Sequence, residues 1–92
     1  MNKSMEWVVD SMTRYLCDKN QSMPHISEDK KEDEIVLEIN DLCQLWYVIQ
    51  YLLFIDIKHI WIWNVLYKQH TTATTYIRFD LKNDTEHSLR FI

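Results

Sequence analysis

Apolar residues recur at helical spacing from the start of the chain. Met5, Val8, Val9, Met12, Tyr15 and Leu16 fall on one stripe, with Glu6, Asp10, Thr13 and Arg14 on the other side. Ser4 precedes that stripe as a side-chain cap, and Glu6 sits in the first turn, where a negative charge suits the helix dipole. Asn20 is a stop signal, because asparagine tolerates the left-handed backbone of a helix end better than most residues. The pattern predicts a helix from 4 to about 19. Residues 21–33 are polar and carry the chain's one proline, Pro24, which predicts a mobile connecting loop.

The period then changes to two. Ile35, Leu37 and Ile39 alternate with Glu34, Val36 and Glu38, the pattern of a half-buried strand. Asn40 and Asp41 follow as caps for a second helix, and Asp41 with Gln44 approximates a capping box. Leu42, Leu45, Trp46, Ile49, Leu52 and Leu53 make one continuous face of that helix. Cys43, Tyr47, Tyr51 and Phe54 occupy the opposite side. A helix apolar nearly all round is covered on more than one side. So short a chain has little material for that, which hints at an intermolecular contact.

Beyond Asp56, His59, Trp61, Trp63, Val65 and Tyr67 share one face of a strand. Lys58, Ile60, Ile62, Asn64, Leu66 and Lys68 share the other. Further strands are expected over 75–81 and 87–92. The expected fold is an α+β two-layer sandwich in one domain spanning 1–92. Its sheet is four-stranded and mostly antiparallel, with both helices on one face, in the order α-β-α-β-β-β. The helix side of the sheet is assigned Ile35, Leu37, Ile39, Ile60, Ile62, Leu66, Ile77, Phe79, Leu81, Leu89 and Phe91. The opposite face then presents His59, Trp61, Trp63, Tyr67, Tyr76, Arg78 and Arg90. Two alternatives stand beside that one: tryptophans turned inward beneath the helices, or a sheet face covered by the 21–33 loop.

Composition narrows the chemistry. The 92 residues contain no glycine, against roughly six at average usage. Phosphate-cradling loops, dinucleotide fingerprints and serine elbows all need glycine's backbone freedom, so those chemistries are excluded. The net charge of −4 argues against general affinity for nucleic acid. The charge is uneven. Over 20–56 the acids Glu28, Asp29, Glu32, Asp33, Glu34, Glu38, Asp41 and Asp56 face only Lys30 and Lys31. Of these, Glu28, Asp29, Glu32, Asp33, Glu34, Glu38 and Asp41 form a candidate steering patch for a basic partner, set against the plainer role of a solvated loop. Polar residues interrupt the apolar stretch over 42–67, so no membrane span is expected. The two cysteines, Cys17 and Cys43, lack a paired spacing and a preceding secretory signal, and read as small buried hydrophobes of a cytoplasmic protein.

No catalytic constellation is selected by spacing. His25, His59, His70 and His87 fit no metal motif, and a nuclease drawn from His59, His70, His87, Arg78 and Arg90 has nothing to single it out. The chain is therefore expected to be neither an enzyme nor a holder of metal or cofactor. It reads as a small acidic inhibitor that docks on a partner protein, in the class of immunity proteins, antitoxins and phage-encoded anti-defence proteins. The aromatic strand face serves as anchor or as a homodimer interface. The alternative is a nucleic-acid-binding regulator that stacks bases on the same face.

Overall fold

The computed structural model describes residues 4–27, 34–66, 73–82 and 88–91. Two helices pack on a five-stranded sheet. The elements are α1 (Met5–Asp18), β1 (His25–Ile26), β2 (Glu34–Ile39), α2 (Leu42–Phe54), β3 (His59–Leu66), β4 (Ala73–Asp80) and β5 (Ser88–Phe91). Ser4 caps α1 by accepting from the Trp7 N–H at 3.1 Å, and Asp41 caps α2 by accepting from the Cys43 N–H at 2.8 Å.

Both helices end in the same glycine-free way. Asn20 and Asp56 take left-handed backbone, with φ of 57° and 64°. Gln21 N–H reaches back to the Leu16 carbonyl and Asn20 N–H to that of Cys17; Ile57 and Asp56 repeat the pattern on Leu52 and Leu53. These paired bonds satisfy carbonyls that a helix end leaves open.

The strands lie in the order β1-β2-β4-β3-β5. The chain runs β2, α2, β3, so β2 and β3 are parallel, with β4 inserted between them and antiparallel to both. This is a split β-α-β unit. The expected fold class stands, with two corrections. A fifth strand lies inside the 21–33 loop, where His25 and Ile26 pair with Glu38 and Leu37. The last strand pairs parallel to β3, which makes the sheet mixed. A two-residue strand has no alternation to read, and alternation does not reveal a strand's neighbour.

The core joins Val8, Met12 and Leu16 of α1 and Val48, Tyr51 and Leu52 of α2 to Ile35, Leu37, Ile39, Ile60, Ile62, Ile77 and Phe79 of the sheet. Those seven sheet residues are buried as expected. Leu81 is half-buried, and Leu66 lies outside the residues whose side chains are described. Leu89 and Phe91 depart from expectation: register places them beside Ile60 and Ile62, yet both are exposed. On the β1 side, Met5 and Val9 of α1 share a cleft with Ile26 and Ile35. Tyr15 of α1 meets Tyr51 of α2, ring centroids 5.1 Å apart. The helices therefore cover the sheet from the β1 side, and the far edge at β5 is left open.

The second helix also turns differently from the face read in its sequence. Gln44, Val48, Tyr51 and Leu52 point inward, whereas Leu42, Trp46 and Leu53 of the expected face are exposed. Gln44 does not close a capping box. It is buried, and its amide donates to the Ser22 carbonyl at 2.6 Å, tying α2 to the segment before β1. Both cysteines are exposed and unpaired with one another, not buried. Cys17 lies opposite the Val8–Met12–Leu16 stripe, and Cys43 lies in the first turn of α2.

Candidate functional site

Alternation along β3 and β4 fixes what the helix-free face of the sheet carries. With Ile60, Ile62, Ile77 and Phe79 committed to the core, His59, Trp61, Trp63, Tyr76, Arg78 and Asp80 must point the other way. Strand register lines them up in rows. Glu34, Asp80, His59 and Ser88 form one row, Val36, Arg78, Trp61 and Arg90 the next, and His25, Glu38, Tyr76 and Trp63 a third.

Side chains within the rows hold one another. The Arg78 guanidinium carbon sits 4.3 Å from the Trp61 ring centroid, a cation–π contact. Trp63 and Tyr76 stack at 5.4 Å with their planes 15° apart. The His59 ring lies 5.9 Å from Trp61, and its Nδ1 approaches Asp80 Oδ1 at 3.1 Å. Asp80 is buried, and its carboxylate also accepts from the Lys82 N–H. Arg78 Nε is 3.9 Å from Glu34 Oε2, a loose ion pair. These contacts leave Trp61, Trp63, Tyr76 and Arg78 half-buried, while Arg90 is exposed on β5.

Of the face assigned from sequence, His59, Trp61, Trp63, Tyr76, Arg78 and Arg90 thus come together, and Tyr67 lies outside the described residues. The acidic patch divides. Glu34 and Glu38 stand on β2 on this same face, Asp41 is taken up as the cap of α2, and Glu28, Asp29, Glu32 and Asp33 lie outside the described residues. Among the histidines, His25 is exposed at the sheet edge, while His70 and His87 are outside the described residues. Among the described residues, no three His, Cys, Asp or Glu side chains gather as a metal site.

Two further surfaces were not assigned as sites from sequence. A shallow cleft of about 330 Å³ lies between α1 and the β1–β2 edge, with Glu6, Asp10 and Glu34 around apolar Met5, Val9, Ile26 and Ile35. The signal available was the pairing of Glu6 and Asp10 one turn apart, but it reads equally as a solvated helix face. The outer face of α2 is the other. It exposes Leu42, Trp46, Leu53 and Phe54, and the helix carries no charged side chain. The all-round apolarity of α2 was the signal there. No helix among the described residues is long and apolar enough to cross a membrane. The chain matches no family model, and no curated protein or solved structure matches it.

Proposed function

We propose that this chain is a small acidic binding protein, not an enzyme, which blocks a partner protein by docking on it through the helix-free face of the sheet. Its mode of action would be that of immunity proteins, antitoxins and phage-encoded inhibitors of host defence, within the cytoplasm and without a cofactor. The observation that carries this reading is the row Arg78–Trp61–Arg90 beside the stacked Trp63–Tyr76 pair. Trp, Tyr and Arg dominate the residues whose loss most weakens protein complexes. Here they are held in place by each other, so little side-chain freedom is lost when a partner arrives.

The charge around the row favours a basic protein over a nucleic acid. On this face the carboxylates Glu34, Glu38 and Asp80 outnumber the guanidinium groups of Arg78 and Arg90, a balance that weakens attraction to a phosphate backbone and favours lysine and arginine side chains. Base stacking on Trp63 and Tyr76 is thereby disfavoured.

Immobilised wild-type protein should retain a partner from an extract of its native host, and Trp61→Ala and Arg78→Ala should each weaken that complex at least tenfold. Both variants should keep a cooperative melt. A single-stranded oligonucleotide should show no mobility shift at low salt. Retention unchanged in both variants, or an oligonucleotide shift abolished by Trp61→Ala, would refute the reading.

A further inference from the structure

The outer face of α2 has an internal symmetry. Leu42, Trp46, Ile49 and Leu53 follow one another at steps of four, three and four residues, the spacing of a helix–helix seam. The spacing of four, three and four is the same from either end: a leucine closes it on both sides, and Trp46 and Ile49 flank a midpoint between Tyr47 and Val48. An antiparallel copy of the same helix, related by a two-fold axis at that midpoint, sets Leu42 beside the second Leu53 and Trp46 beside the second Ile49. A surface that matches its own reversed copy is what an isologous dimer requires.

Exposure and charge agree with that arrangement. Leu42 is 79% exposed, Trp46 60%, Leu53 51% and Phe54 84%. Together they present on the order of 600 Å², taking roughly 200 Å² for a fully exposed large apolar side chain, against the roughly 800 Å² per partner of a standard interface. The half-buried Ile49, with Gln50 and Cys43 on the rim, supplies more area. No residue of α2 is charged, so the middle of the seam opposes no like charges; Asp41 and Asp56 lie just beyond its ends, where Lys58 pairs with Asp56 at 3.0 Å. The same neutrality gives a basic partner nothing to hold. Antiparallel helices also oppose their dipoles favourably.

We infer that the chain forms a two-fold symmetric homodimer through the Leu42–Trp46–Ile49–Leu53 stripe of α2, which leaves the helix-free sheet face of each protomer open to a partner. The test is sedimentation of the purified protein over about 1–100 μM. The wild type should sediment as a dimer at the upper end, and Trp46→Glu and Leu53→Glu should each sediment as monomers with a far-UV spectrum unchanged. Trp61→Glu, on the opposite face of the sheet, should leave the dimer intact. A monomeric wild type overturns the inference, and so does a dimer that survives both α2 substitutions or is lost with Trp61→Glu. The geometry has its own check in a Cys17→Ser background. The antiparallel pairing holds the two Cys43 Cα atoms roughly 16 Å apart, beyond the ~7 Å limit for a disulfide, so an oxidant should not cross-link them. A Cys43–Cys43 bond formed within the dimer contradicts the two-fold arrangement. The partner-retention experiment on Trp61 and Arg78 reads the other face, so either proposal can fail alone.

Discussion

Tyr51 shows how a single side chain can pack well and bond badly. Its ring fills the space between α1 and α2 against Tyr15, but its buried hydroxyl has no hydrogen-bond partner among the described residues. A buried polar atom left without a partner costs about 1–3 kcal/mol. Tyr51→Phe keeps the ring and removes the orphan, so thermal melting at neutral pH should show a gain of about 1 kcal/mol. Burial also raises the phenol's pKa above its ordinary value of 10.0. Above that value the unfolded chain releases a proton that the folded chain retains, so wild-type stability falls as pH rises. Melts repeated from neutral pH to above 10 should find that fall reduced in Tyr51→Phe; an unchanged slope would assign it to other groups. Gln44 is the converse case, a buried polar group whose amide is satisfied by the Ser22 carbonyl. Nothing in its spacing from Asp41 distinguished that bond from a capping box, because the acceptor lies 22 positions away.

At the level of elements, the two helix ends offer a direct experiment. Non-glycine residues resist left-handed backbone by roughly 1–2 kcal/mol, and asparagine resists it less than most. Asn20→Gly should therefore raise the urea midpoint by an increment worth about 0.5 kcal/mol, and Asn20→Val should lower stability by about 1 kcal/mol or more. Equal midpoints for the three proteins would mean that the Schellman bonds at Leu16 and Cys17 do not constrain this turn. How readily each element could be read follows from its pattern. Polar residues on one side fix the rotational phase of α1, and its core stripe was legible. α2 has no such marker, so its span could be read but its inward face could not. In β3 both faces are apolar, yet parity ties Trp61 and Trp63 together, and committing Ile60 and Ile62 to the core turned both indoles outward. That is why most of the candidate sheet face was legible. Its self-covering was not, since a ring contact such as Trp61 with Arg78 depends on which strands are neighbours.

For the molecule as a whole, sheet order sets how stability is distributed. β4 is bonded to β3 along its full length and to β2 over six of its eight residues, whereas β1 pairs over two residues and β5 over four. Amide exchange should accordingly be slowest at Ile77 and Phe79 and fastest among strand amides at Ile26 and Leu89, and mass-resolved or NMR exchange can rank them. Comparable rates at Leu89 and Phe79 would mean that the β5 edge is covered in solution. Fold class was legible from the alternation of periods alone. The fifth strand and the parallel pair were not, because both depend on pairings that no local pattern encodes.

The slot between β2 and β3 has a consequence for how the chain is made. When a ribosome has emitted the first 66 residues, two of the three longest strands exist but share no ladder, and the core residues Ile77 and Phe79 have yet to appear. The nascent protein must keep Ile35, Leu37, Ile60 and Ile62 from other company until the fourth strand slides between them. Assembly of the sheet therefore waits for residues 73–80 and then proceeds as one event, not as a gradual accretion outward from α1.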